Sequence, residues 1–176
     1  LINGVDYLAR LAATMHSQMP EARFVVIGSG KEQARVRQAA QELGVLEQNF
    51  FMLDPLLKAG IPSVLAAADI ATSLFIDLPE MWANSANKFF DALASGTPVA
   101  INYRGWQAEL LEETGAGLVL DVQNVEHAAA DLVAALRDPS WLARAGKAAR
   151  NLAEERFSRD QLARQLEAVL LNAVER

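Results

Sequence analysis

Asn84-Ser85-Ala86-Asn87-Lys88-Phe89-Phe90-Asp91-Ala92-Leu93-Ala94-Ser95-Gly96-Thr97-Pro98-Val99 reads as a polar loop, a short amphipathic helix, a glycine stop and a buried strand. On a helix, Asn84, Asn87, Lys88, Asp91 and Ser95 fall at three- and four-residue spacings along one side. Phe89, Phe90 and Leu93 turn to the other and would hold the helix on a sheet. Asn84 or Ser85 suits the N-cap position. A helix start of this kind presents free amides that favour an anion, worth ~0.3–2 kcal/mol through the dipole alone. Lys88 adds a point charge, and Asp91, one turn deeper, can accept hydrogen bonds from two vicinal hydroxyls. A nucleoside diphosphate offers both partners. The same spacing also describes an ordinary solvated helix face, so spacing alone leaves the two readings open.

Outward from this segment, helical and strand-like periodicities alternate. Toward the N-terminus, Val5, Leu8, Leu11, Ala12 and Met15 form a helical stripe. Phe24-Val25-Val26-Ile27 is a continuous apolar run ended by Gly28-Ser29-Gly30, the pattern of a strand buried on both faces. A helix over 31–43 stops at Gly44. Asn49–Leu53 is a second strand, Pro62–Ala68 a short helix and Asp69–Leu74 a third strand. Toward the C-terminus come the strand Pro98–Ile101, a helix near 106–114 and the strand Gly117–Leu120, with Gly96 and Gly115 as helix ends. Three helices follow, near 125–136, 140–155 and 159–175. Strands alternating with helices predict right-handed crossovers and a mostly parallel sheet with helices on both faces. The reading is one Rossmann-like α/β domain over 1–176, with a helical C-terminal tail.

Composition bounds the function. The chain has 176 residues, is 52% apolar and can bury a sizeable core. A net charge of −6 argues against a nucleic-acid partner, whose binding rests on an excess of Lys and Arg. No apolar run approaches the ~20 residues of a membrane span, and no basic cluster marks a membrane surface. Absence of cysteine removes disulfides and thiolate metal sites. These features fit a cytoplasmic protein. The opening Leu1-Ile2-Asn3-Gly4 lacks a methionine and a signal pattern, so the chain is expected to be a fragment.

In open parallel sheets, ligands bind beyond the carboxyl ends of strands. Gly28-Ser29-Gly30-Lys31 sits at such an end, but position 33 is Gln and Lys31 is followed by Glu32, so it is neither a dinucleotide fingerprint nor a Walker loop. These glycines either line a site or simply turn the chain. Met52-Leu53-Asp54, leaving the second strand, offer backbone groups and an apolar wall to a base, or form a plain strand end. His16 and His127 lack ligand spacing, and no Asp-x-Asp pair is available to chelate a nucleotide-bound cation, so no metal is expected. Trp82 and Trp106 fall near loops at the ligand end, as packing anchors or as a sugar platform. No catalytic set can be assembled, and the catalytic residues stay unassigned.

Several segments recur in a known order: Asn3-Gly4-Val5-Asp6-Tyr7-Leu8, Phe24–Gly30 (FVVIGSG), Ile61–Asp69 (IPSVLAAAD), Asn87–Val99 (NKFFDALASGTPV), Leu136-Arg137-Asp138-Pro139 and Ala153–Phe157. Nearly end to end, the chain resembles the C-terminal, donor-binding domain of the group 1 family of retaining glycosyltransferases, which have the two-domain GT-B architecture. The resemblance implies a nucleotide-sugar donor as substrate, UDP as its carrier and no chelated metal or other cofactor. It implies an N-terminal acceptor domain absent from this chain, and a polysaccharide or lipid-linked acceptor. It places the ribose on Asp91, the diphosphate around Ser85, Asn87 and Lys88, and the base near Gly28, Gly30, Met52, Leu53 and Asp54. By the same resemblance, the fragment alone should be inactive, and the missing half could lie at the inner membrane.

Three positions depart from the family pattern. The glutamate usual eight residues before the ribose acid is Ala83, with Glu80 a weak substitute. The ribose acid is Asp91 rather than Glu, and the opening lysine that usually reaches the phosphates is Asn3, a charge Lys88 could replace. Ala83 and Asn3 keep open a non-catalytic nucleotide-sugar-binding module. A nucleotide-sugar 2-epimerase, which shares the architecture, is a further alternative, although no acid–base pair for it can be named.

Overall fold

A computed structural model describes residues 3–174. Helix α1 (Val5–Met15) leads to strand β1 (Phe24–Ile27), helix α2 (Gln33–Glu42) and strand β2 (Phe50–Leu53). A one-turn 3₁₀ segment precedes α3 (Ile61–Ala67), followed by β3 (Ala71–Ser73) and a second 3₁₀ segment, Pro79–Ala83. Then come α4 (Asn87–Ala94), β4 (Val99–Ile101), α5 (Trp106–Thr114) and β5 (Gly117–Val119). Helices α6 (Val125–Leu136), α7 (Pro139–Arg156) and α8 (Arg159–Val174) complete the chain, and the expected end at 175 lies outside the described residues.

All strand pairs are parallel, as the alternating pattern predicts, with Val25 beside Phe51, Thr72 beside Ala100 and Ala100 beside Leu118. Backbone hydrogen bonds nevertheless divide the strands into two sheets, β1-β2 and β3-β4-β5. This corrects the expected burial of Phe24–Ile27 on both faces. Among the described residues, strand β1 has a neighbour on one edge only, and Val25 keeps 47% of its surface exposed. Strand β4, flanked on both edges, is fully buried.

Two apolar clusters form the core. In one, Tyr7, Leu8, Leu11 and Met15 of α1 pack with Phe50 of β2 and with Ala128, Ala129 and Leu132 of α6. In the other, Phe89 and Leu93 of α4 pack with Val99, Ile101, Leu111 and Leu152. Helices thus cover both faces. The left-handed backbone at Gly96 and Gly115, φ +72° and +69°, ends α4 and α5 where expected. Helix α8 buries no residue and leaves Leu166, Val169, Leu170 and Leu171 exposed.

Candidate functional site

The carboxyl ends of β1 and β3 face a common groove of about 440 Å³. Strand β1 runs into Gly28-Ser29-Gly30, which line it, and Gly28 takes φ +141°, a backbone that side chains resist. A Cβ at either Gly28 or Gly30 would meet nothing within 4 Å, so the turn faces open space rather than packed protein. Met52, from the adjoining end of β2, joins the wall. The far side is closed by Lys88, from the first turn of α4.

Lys88 does not extend into solvent along its helix. Its Nζ donates to Asn3 Oδ1 at 2.9 Å and to the Leu74 carbonyl at 3.0 Å, and it lies 4.4 Å from the centroid of the Phe75 ring. The ring face supplies some of the attraction lost with water. Burial without a carboxylate partner pulls the Lys88 pKa down to about 8. The groove therefore holds a cation at the end of β3, pinned to the first described residue.

Helix α4 starts differently from the expected cap. Its N-cap is Ala86, which has no side chain to offer, so neither Asn84 nor Ser85 caps it. Asn84 instead organises the preceding turn: its Oδ1 accepts from Ala86 N at 3.3 Å, its Nδ2 donates to Met81 O at 2.7 Å, and its carbonyl accepts from Trp106 Nε1 at 3.1 Å. Among the described residues, the amides of Ser85, Asn87 and Lys88 have no hydrogen-bond acceptor. An uncapped, well-supported helix start with open amides is chemically an anion seat.

Of the residues singled out by sequence, the structure gathers Gly28, Gly30, Met52 and Lys88 around the groove. Leu53, Asp54, Ser85, Asn87 and Asp91 are exposed and lie outside its walls. Asp91 follows Lys88 by one turn on α4, where its carboxylate is open to solvent. Phe90 is only partly buried, at the margin of the core, with its ring against Phe157 and Trp106. Trp106 is thus a packing anchor: its ring joins Phe89, Phe90 and Phe157, and its N–H holds the Asn84 turn.

Other supports escaped the sequence reading. Asn102, just past β4, clamps the backbone of Phe75, accepting from its N–H at 2.9 Å and donating to its carbonyl at 2.8 Å. Ser73, Tyr103 and Gln107 form a buried polar chain beneath the same loops. Burial raises the Tyr103 pKa, so its hydroxyl stays protonated as a donor. Asn102 is separated from Phe75 by 27 positions and carries no local signal; only its place at a strand end, where ligand-side loops meet, marks it. His127 lies between Asp121 and Asp131, at 3.6 Å and 3.7 Å, on the exposed side of α6. Among the described residues, no group of three or more His, Cys, Asp or Glu side chains could hold a metal ion, and no helix is long and apolar enough to cross a membrane.

Comparison with known proteins gives this geometry a family. No curated protein matches the chain by sequence. Among solved structures, sucrose-phosphate synthase from Thermosynechococcus elongatus overlays with a TM-score of 0.82 at 19% identity, covering 98% of this chain and 43% of that one. Anabaena HepE, in complex with UDP and glucose, gives 0.77 at 21% identity over 93% of this chain and 44% of that one. A mutant of S. aureus TarM, in complex with fondaparinux, alpha-GlcNAc-glycerol and UDP, gives 0.78 at 16% identity over 93% of this chain and 32% of that one. At such identities the likeness is one of fold, and the chain spans less than half the length of each. The family pattern described as glycosyl transferases group 1 matches residues 3–152, and with it the α/β fold and its parallel strands agree: the chain belongs to the group 1 glycosyltransferase family.

Proposed function

We propose that this chain is the donor-binding half of an enzyme that moves a sugar from UDP to a polysaccharide or lipid-linked acceptor, keeping the anomeric configuration. The observation that carries the reading is the open start of α4: amides of Ser85, Asn87 and Lys88 without an acceptor among the described residues, on the helix whose first turn also carries the part-buried Lys88 ammonium. A diphosphate at that start would accept from the amides and neutralise the lysine. Asp91, one turn on, would accept from the ribose hydroxyls. The open turn at Gly28 and Gly30, with Met52, Leu53 and Asp54, would flank the base.

As the bond between the anomeric carbon and the diphosphate breaks, its electron pair leaves on the diphosphate oxygen. The open amides, and the Lys88 ammonium once it turns from Asn3 and the Leu74 carbonyl, would stabilise the growing charge. The acceptor hydroxyl forms the new bond and loses its proton to a group this chain does not supply. No metal is assigned a role in this scheme. The partner half is an N-terminal acceptor domain, which closes over the donor to complete the site. The enzyme works in the cytoplasm, meeting the inner membrane through that other domain, and residues 1–176 alone bind donor without turnover.

A non-catalytic module is the second reading. It is favoured by Ala83, which has no carboxylate for the donor sugar, and by Asn3, whose side chain is spent on Lys88. Incubating the full-length protein with UDP-sugars and acceptor separates the outcomes. Glycosylated acceptor with released UDP is the expected result. A free epimer would mean an epimerase, and an unchanged donor would mean a binding module.

A further inference from the structure

The pairing of β3 with β4 ends at Ser73 and Ile101, and Asn102 carries it further with a side chain. Its Oδ1 accepts from Phe75 N at 2.9 Å, and its Nδ2 donates to Phe75 O at 2.8 Å. An N–H and a C=O of the same residue fix which way the amide points. Asn102 is 1% exposed, so both bonds are shielded from water.

This clamp leads directly to Lys88. Phe75 N and the Leu74 carbonyl belong to one peptide group, and the Leu74 oxygen accepts from Lys88 Nζ at 3.0 Å. Because the peptide is planar, holding its N–H also holds the direction of its carbonyl. The ammonium at one end and the Asn102 oxygen at the other polarise the group in the same sense. The Phe75 ring, 4.4 Å from Nζ, hangs from the same clamped backbone and meets the Tyr103 ring edge-on at 5.3 Å. Gly4 closes the other side. A Cβ there would lie 2.8 Å from the Phe75 oxygen and 3.5 Å from Asn102 Nδ2, so glycine lets the chain pass and bring Asn3 to Lys88.

We propose that Asn102 is a positioning residue for the donor site, holding the Leu74–Phe75 peptide as the dock for the Lys88 ammonium beside the groove. Asn102 itself touches no substrate; it sets the place from which the cation is drawn to a diphosphate. That last step rests on the transferase reading, whereas the hold on Lys88 does not. Without the clamp the turn loosens, water reaches the ammonium, and its pKa rises from about 8 toward 10.5. The other charged side chains on the groove walls, Lys31 and Glu32, follow the glycine turn.

The test follows Lys88 by NMR in the full-length protein labelled on lysine and phenylalanine, with Lys88→Met assigning its signal. In the parent, the Lys88 side chain should titrate near pH 8, and the Phe75 amide should shift with the same midpoint. In Asn102→Ala the Lys88 midpoint should climb by about one pH unit or more, and UDP should bind about fivefold more weakly at pH 7. Leu152→Ala, a core truncation on α7, should lower stability while leaving the Lys88 midpoint in place. An unmoved or lowered midpoint in Asn102→Ala would overturn the proposal, as would UDP affinity equal to the parent's. If Asn102→Ala does not fold, the parent decides: a Phe75 amide that tracks Lys88 supports the link, and one that stays still contradicts it. A parent that titrates as described but binds no UDP refutes the transferase reading alone, and the midpoint then judges the hold on Lys88.

Discussion

Strands β1 and β4 look alike in sequence, each a short apolar run ending in a ligand-side turn, yet they occupy opposite situations. Strand β4 is sealed between β3 and β5 beneath Phe89 and Leu111, while β1 leaves Val25 half in solvent. The difference shows that an apolar run reports the burial a strand is suited to, and its neighbours decide how much of that burial is realised. It also divides the molecule into a tightly packed half around α4, β4 and α7 and an open half around β1, β2 and the groove.

The sharpest contrast lies in two glycines. A Cβ at Gly117 would sit 1.9 Å from the Val99 carbonyl, so Gly117→Ala must force β4 and β5 apart. It should abolish folded protein, as judged by loss of soluble yield and of far-UV circular dichroism. Gly28→Ala meets no atom and carries only its φ strain, ~1–3 kcal/mol, read as a shifted urea midpoint at unchanged slope. Equal damage at the two sites would erase the comparison.

Core truncation comes next. Phe89→Ala should cost about 3–5 kcal/mol, because the ring is fully buried in the packed half.

Lys88 stands between the halves, and its effect depends on pH. Its pKa is about 8 in the folded protein against 10.5 for a free side chain, so between those values the unfolded chain binds more protons. Stability contributed at this site therefore rises with pH across that window. Relative to Lys88→Met, the parent should gain about 2 kcal/mol between pH 7 and 10.5, after allowance for residual solvent contact. A flat difference between the two proteins would show that the ammonium is not buried as described. The smallest effect belongs to Val25→Ala, expected at under about 1 kcal/mol for a half-exposed position.

Much of the architecture was legible. Period-3.6 stripes located the long helices within a few residues, and glycine with left-handed backbone ended α4 and α5 as predicted. The division into two sheets was not legible, since an apolar run carries no record of which edge it pairs. At the site, one groove brings Lys88 and the glycine turn together, although 58 positions separate Lys88 from Gly30. The cap was misjudged because Asn84, a good capping residue by type, is held by Met81 and Trp106 one step too early. The inward turn of Lys88 was equally hidden: it depends on Asn3, Leu74 and Phe75, which converge only after folding.

The central claim is that the start of α4 grips a diphosphate while Asp91 holds the ribose. Isothermal titration of UDP into the protein, beside Asp91→Ala, tests it most directly. The account predicts saturable, enthalpically detectable UDP binding by the parent, weakened at least tenfold, about 1.4 kcal/mol, by the substitution. No binding of UDP or GDP at millimolar ligand, or equal affinity in the two proteins, would contradict it.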